Sequence, residues 1–506
     1  MDISLKREDY KFLNKLWENT LEESVECDIS LPDYMPEILR IIKATATPKV
    51  SSCRLSGDRV TVDGLCELRM IYTAEDGGLY TYSHTQPFTK YCENDTFSDA
   101  LDVTSRVSVS FVNCRATNNR RAEIKGGISV NICVFGVECN EVIYSAEGDG
   151  LEQKLIPIDA MSLGCRKTNH FSMSDTVSPQ EGASYIVRVH SSAVCTDVRK
   201  INNKMMIKGD AVVSVCYVKD REKAETETLK HSIPINQIME FEGMEEHFTG
   251  NVVLNVCSTD VIPKGESSGE ITSFDISLGV DVTVNMWDLK SLSVISDAYG
   301  VGTALNLKRV PRKYYCALKE IRDTIIAQDS FTMPGEGVNC ILDCCGEIVS
   351  KKFKCEDGKA TVSGSINVSM IVKDGNGNFN TQLKTLDYCY SMDIDSDDKT
   401  IICEPYVSLI TIDCALSNGG ISVRAELSVV GTVFEERVID TVTDITESDV
   451  PNTRKRYAVT VYFPEKEESL WSIARRYNTT VNAIADENGL DGDTTADLKI
   501  LFIPAV

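Results

Sequence analysis

The chain has 506 residues, 42% of them hydrophobic and 25% charged, with a formal net charge of −24 and 19 cysteines. That length holds roughly three to five domains, each with enough apolar material for a core. The acidic balance excludes a general nucleic-acid binder and disfavours anionic membrane surfaces, because both need clustered Lys and Arg.

The odd cysteine count and a start, Met1 to Glu8, without the basic and apolar regions of a signal peptide predict a cytosolic chain. There Cys66, Cys133, Cys216 and Cys257 act as small buried hydrophobes inside strand-like runs. No run approaches ~18 apolar residues, so no membrane span is expected.

In chain order, Phe12, Leu13, Leu16, Trp17 and Leu21 place one apolar stripe along an amphipathic helix within residues 1–25. Pro36 can then open a short second helix through Ile42. From there to about residue 447 the chain alternates Val, Ile, Thr and Tyr with Gly, Asn and Asp, the chemistry of strands and turns.

Three runs align on a glycine: Val60 to Tyr72 on Gly64, Met206 to Tyr217 on Gly209, and Ala360 to Val372 on Gly364, with the glycines 145 and 155 residues apart. Each run is followed by a polar turn and another strand, a hairpin in the same place three times. A second hairpin pair follows in each: Val107 to Val112 with Ile128 to Val137, Val252 to Val256 with Ile276 to Met286, and Val407 to Ile412 with Ile421 to Val433.

A period near 150 residues is too long for a solenoid and predicts whole tandem domains at 26–155, 180–305 and 320–447. Strands without long intervening helices imply antiparallel sheets closed as sandwich-like domains. The fold class is therefore mainly β: three antiparallel β-sandwich-like domains, a linker at 448–456, and a small α+β module at 457–504.

That last module reads βααβ. Leu470, Ile473, Ala474 and Tyr477 share one helix face, Thr480 is placed to cap a second helix, and Asn488-Gly489 can end it in the left-handed region. Tyr457 to Tyr462, the Leu470-Trp471-Ser-Ile-Ala474 helix, Tyr477 with Val481, and the closing Ile503-Pro504 together resemble the LysM family.

The resemblance implies N-acetylglucosamine polymer binding through the loops at about Phe463 to Ser469 and Asn488 to Asp491. Here the family's Gly-Asp-Thr before the first helix is replaced by Glu467-Glu468-Ser469, which removes the glycine that lets a sugar approach the backbone. Trp471 either plugs the module's small core or, exposed beside Glu467 and Glu468, anchors a protein partner instead. The partner-binding candidates are Phe463, Glu467, Glu468, Ser469, Leu470, Trp471, Asn488, Gly489 and Leu490. Trp17 and Trp287 are expected to be packing residues.

The upstream units look like the SPOCS domain (DUF3794) of clostridial sporulation proteins, carried by Asp28-Ile-Ser-Leu-Pro-Asp-Tyr-Met-Pro-Glu-Ile38 and the Gly64 to Tyr72 strand. Three such units and a terminal LysM are similar to the SipL-like spore coat family. The resemblance implies a mother-cell protein at the forespore surface, docking through its LysM onto the coat ATPase SpoIVA and contacting other coat proteins. Peptidoglycan is the alternative ligand.

Five dispersed histidines, no HExxH, no nucleophile elbow and no P-loop argue against an enzyme, and no cofactor or metal is implied. Cys340, Cys344, Cys345 and Cys355 lack paired Cys-x-x-Cys knuckles and read as inert strand thiols. Asp393 to Glu404 reads as a solvated acidic loop.

Overall fold

The computed structural model describes residues 3–220, 225–242, 248–265, 270–332, 338–395, 400–417, 420–448, 458–465, 468–490 and 500–505. One topology occurs three times. Unit 1 runs β1 (Ser4–Ser30), β2 (Arg40–Ser56), β3 (Arg59–Thr73), β4 (Leu79–Glu93), β5 (Ala100–Asn118) and β6 (Arg121–Glu147).

Unit 2 runs β7 (Leu151–Val177), β8 (Tyr185–Ile201), β9 (Lys204–Asp220), β10 (Glu225–Glu240), β11 (Phe248–Gly265) and β12 (Ile271–Gly300). Unit 3 runs β13 (Leu305–Thr332), β14 (Val338–Glu356), β15 (Lys359–Asp374), β16 (Phe379–Asp393), the short β17 (Thr400–Ile402), β18 (Tyr406–Ser417) and β19 (Gly420–Glu447). A module of β20 (Val459–Tyr462), α1 (Leu470–Tyr477), α2 (Val481–Asn488) and β21 (Leu501–Pro504) follows.

Each unit is an antiparallel sandwich. A meander (β2-β3-β4, β8-β9-β10, β14-β15-β16) packs on a second sheet in which the last strand pairs with the unit's first (β1-β6-β5, β7-β12-β11, β13-β19-β18). In unit 1 the inward residues Val60, Leu68 and Met70 of β3 meet Ile124, Ile128 and Val130 of β6. Both hairpins expected from the sequence are present in every unit, with Val107 opposite Val130, Val252 opposite Val284 and Val407 opposite Val429.

The repeated glycine has a steric cause. A Cβ on Gly64, Gly209 or Gly364 would lie 2.4, 2.2 or 2.0 Å from the carbonyl oxygen of Lys49, Val194 or Ser350 on the neighbouring strand. Beside each glycine that neighbour carries a β-bulge, which brings its backbone close.

The expected helix within residues 1–25 is instead strand β1, paired with β6 from Ser4–Glu147 to Ser30–Arg121. The expected helix from Pro36 is likewise irregular chain running into β2 at Arg40. Of the stretches between the expected domains, 156–179 and 306–319, residues 156–177 and 306–319 are not linkers but parts of β7 and β13, paired along β12 and β19. Pro157 and Pro311 are tolerated because β7 and β13 are edge strands, where a missing N–H breaks no ladder. The expected linker at 448–456 lies, from 449 onward, outside the described residues.

These first and last strands make three ribbons of 27 or more residues, roughly 90 Å long at ~3.3 Å per residue. The ribbons share two bulges at corresponding places: Leu16, Gly164 and Leu318 on the first strands, and Tyr144, Ser296 and Thr443 on the last. They pack against one another around a common line. Tyr10, Val142, Ile158, Leu292 and Tyr314 form one shared core, and Ile143, Ile295 and Val442 with Ala146, Ala298 and Ile445 form the next. The Tyr10 hydroxyl donates to the Met161 carbonyl and accepts from the Tyr315 N–H, so one side chain from unit 1 touches units 2 and 3.

At the meander end the bulged residues Ile42, Val187 and Leu342 point to the same line and pack with Ile71, Cys216 and Ile371. A ring of threonine hydrogen bonds closes this end: Thr81 donates to the Ile186 carbonyl, Thr226 to Leu342 and Thr381 to Ile42, running from unit 1 to 2, 2 to 3 and 3 to 1. The three units therefore form one body with pseudo-threefold symmetry.

Cys66 and Cys216 are buried as expected, whereas Cys133 and Cys257 are only half-buried. Cys344 is not an inert thiol: it forms a disulfide with Cys414, joining the two sheets of unit 3. Trp17 packs edge-on to Phe97 and Trp287 to Phe434, both as core residues. Of the acidic loop Asp393 to Glu404, residues 396–399 lie outside the described residues.

Candidate functional site: the C-terminal module

The module's caps follow its sequence. The Ser469 hydroxyl accepts from Ser472 N–H and opens α1, the Thr480 hydroxyl accepts from Ala483 N–H and opens α2, and Gly489 ends α2 at φ 64°. Leu470, Ile473, Ala474, Ile484, Leu501 and Ile503 fill a core that extends onto Tyr299 and Val301 at the end of unit 2.

Trp471 lies in that junction. It is 9% exposed, its ring meets Tyr299 edge-on at 4.9 Å, and its indole N–H donates to Asp297 Oδ2 at 2.9 Å. Arg475 reaches the same oxygen at 2.7 Å, and Arg309 pairs with the other carboxylate oxygen. The Tyr299 hydroxyl donates to the Thr479 carbonyl, and the Gly302 N–H donates to Asn478 Oδ1. The indole is thus neither an exposed anchor nor a plug of the module alone but a buried clamp between module and body. Its partners, Asp297 and Tyr299, lie more than 170 residues away in sequence and carried no local signal.

The other candidates separate by role. Leu470 is fully buried core, Ser469 is a cap, and Gly489 is the left-handed helix end. Leu490 packs partly against the module core. Asn488 is a clip: its amide donates to the Ile484 and Phe502 carbonyls, and its Oδ1 accepts from the Phe502 N–H.

Glu468 accepts from the Tyr462 hydroxyl at 2.8 Å and pairs with Arg476 at 2.7 Å. Burial alone would raise its carboxyl, but Tyr462, the Glu465 N–H and Arg476 together hold it below the usual range. Glu467 and Asp491 lie outside the described residues.

Phe463 is open, at 67% exposure. It continues a face that the candidate list missed: Val459 and Val461 alternate outward on β20, and Phe502 stands opposite Val461 on β21, at 53% and 45% exposure for that pair. Ile500 is also exposed. The signal was present in the period-two alternation of Val459, Val461 and Phe463 with Thr460 and Tyr462.

Three β units in one body, with a βααβ module clamped to unit 2 and its apolar ribbon facing outward, define a multidomain β protein that carries a small α+β module. Residues 37–117, within unit 1, match the family model described as SipL, SPOCS domain, and residues 465–500 match that of the LysM domain. Unit 1 is thus similar to the SPOCS domain of SipL and the C-terminal module to a LysM domain, matches that support a sporulation-related protein with a module of the peptidoglycan-binding type. No curated protein and no solved structure matches the chain. Among the described residues no helix is long and apolar enough to cross a membrane.

Proposed function

We propose that the chain is a non-enzymatic structural adaptor of the spore coat, acting in the mother cell at the forespore surface and docking onto the coat ATPase SpoIVA through its LysM-like module. The observation that carries this reading is the two-sidedness of the module. Its α1 side is committed to the body through Trp471 and Asp297, while Val459, Val461, Phe463 and Phe502 form an apolar face open to solvent. A contiguous exposed apolar face is characteristic of protein contact, and aromatic side chains dominate such interfaces. The body, with three units locked around one line, offers further surfaces to other coat proteins.

The glycan reading has its own support in the LysM match, but among the described residues of the two family loops Glu468 is engaged with Tyr462 and Arg476, and Asn488 with β21. Pull-down of the full chain on immobilised SpoIVA and on insoluble peptidoglycan separates the readings. The wild type is expected on SpoIVA, with Val461→Glu and Phe463→Glu each weakening capture by about 30-fold or more, a hot-spot loss of ~2 kcal/mol or more. Retention on peptidoglycan alone, unchanged by either substitution, would establish the glycan-binding protein instead.

A further inference from the structure

On the outer face of unit 2, three side chains from three adjacent strands converge. The ladder places His170 of β7 directly opposite Asp281 of β12, and His170 Nδ1 lies 2.9 Å from Asp281 Oδ1. On the other side of β12 the chain is bulged at Cys257, the unpaired residue between Val256 and Ser258 of β11. The bulge turns the thiol toward the same ring, with Sγ 3.6 Å from Nδ1. All three donor atoms lie within 4.8 Å of one another.

The space they face is kept clear by Gly279, where a Cβ would lie 2.4 Å from Ser258 Oγ, 3.0 Å from His170 Cε1 and 3.1 Å from Cys257 Sγ. Any side chain there would fill the point to which the donors aim. The imidazole and carboxylate remain open to solvent, so an ion can enter.

We infer that His170 Nδ1, Cys257 Sγ and an Asp281 carboxylate oxygen form a three-ligand site for a divalent transition-metal ion of the zinc class, with a fourth position open. The Nδ1–Sγ separation of 3.6 Å fits such an ion, and the hydrogen-bonded Nδ1–Oδ1 separation of 2.9 Å must open by about 0.4 Å to take it. Bonds of ~2.0–2.1 Å to nitrogen and oxygen and ~2.3 Å to sulfur, at tetrahedral angles, set N and O about 3.3 Å apart and N and S about 3.6 Å apart. The mixed thiolate, imidazole and carboxylate set selects zinc-like ions over magnesium or calcium, which take oxygen donors. The chain's charge of −24 further raises the local cation concentration.

A nucleophilic cysteine fits less well. Without a metal the same ring nitrogen faces both the thiol and the carboxylate, and one N–H cannot point squarely at both.

Titration of the reduced full chain with Co2+ tests the site, read by the near-ultraviolet thiolate-to-cobalt band and the visible bands of a four-coordinate ion. The wild type is expected to bind one equivalent that Zn2+ displaces. Cys257→Ser should lose the thiolate band of that equivalent. His170→Ala and Asp281→Asn should weaken it at least tenfold, with far-ultraviolet dichroism showing each variant folded. His170→Gln serves as a second replacement of similar size. A wild type without the thiolate band, or a band whose intensity and midpoint are unchanged in Cys257→Ser or in both His170 variants, overturns the assignment.

Discussion

Asp343→Ala is expected to destabilise the chain by about 3–5 kcal/mol, the range for removing one partner of a buried ion pair. Asp343 on β14 is buried and accepts from Arg188 Nε on β8 at 2.7 Å, while the same guanidinium donates to the Cys344 carbonyl at 2.6 Å. The pair joins unit 2 to unit 3 beside the bulges that point to the central line. Alanine would leave Arg188 charged, desolvated and held by one carbonyl.

A double replacement, Arg188→Met with Asp343→Leu, should recover most of the loss, because an apolar pair of similar volume avoids the desolvation cost. Urea unfolding of the single and double variants measures both. Equal destabilisation by the two would show that shape, not the unpaired charge, matters here. The corresponding positions in units 1, 2 and 3 carry Lys43, Arg188 and Asp343, each directly after a bulge, so this ion pair is specific to the contact between units 2 and 3.

The second large effect is expected at the clamp. Trp471→Ala should cost about 3–5 kcal/mol, the usual range for emptying a buried tryptophan site, divided between the module's core and its docking. Asp297→Ala tests docking with less damage to the module core, since it removes the acceptor shared by Trp471, Arg475 and Arg309 while leaving Leu470, Ile473 and Ile484 in place. Limited proteolysis followed by mass spectrometry should then release the C-terminal module at least tenfold faster than from the wild type. Phe463→Glu, on the opposite side, should leave that rate unchanged. Release from Asp297→Ala at the wild-type rate would mean that the packing on Tyr299 and Val301 and the hydrogen bonds to Thr479 and Asn478 hold the module without the carboxylate.

Much of this architecture was legible in local pattern. Alternation with β-branched residues marked the inner strands, and the Gly64, Gly209 and Gly364 register marked the repeat because a crowded carbonyl leaves those positions no alternative. The module's caps were readable at Thr480 and Gly489 because capping is a matter of adjacent residues.

What failed was the phase of the long strands. In β1 the inward series containing Tyr10 and Phe12 is interrupted by the bulge at Leu16 and resumes at Trp17, Leu21 and Val25. One extra residue sets a spacing of five, from Phe12 to Trp17, into the period of two, and with the spacings of four that follow the series imitates a helix face. The outer ends of β7 and β13 read as linkers because their partners lie more than 100 residues away.

The candidate site was misjudged for a related reason. The partner of Trp471, Asp297, belongs to another unit, and no local pattern distinguishes an indole that meets a distant surface of its own chain from one that meets another protein. Phe463 and the β20 alternation carried the outward face in plain view.

The most direct test of the adaptor account is hydrogen exchange of the full chain with and without SpoIVA. Docking through the apolar face should give new protection in β20 and β21, around Val459 to Phe463 and Leu501 to Pro504, with α1 and residues 297–302 unchanged because the clamp stays closed. Unchanged exchange in the ribbon, or loss of protection at α1 and 297–302 on binding, would contradict it: the partner would then dock elsewhere, or would take the Trp471 side of the module from the body.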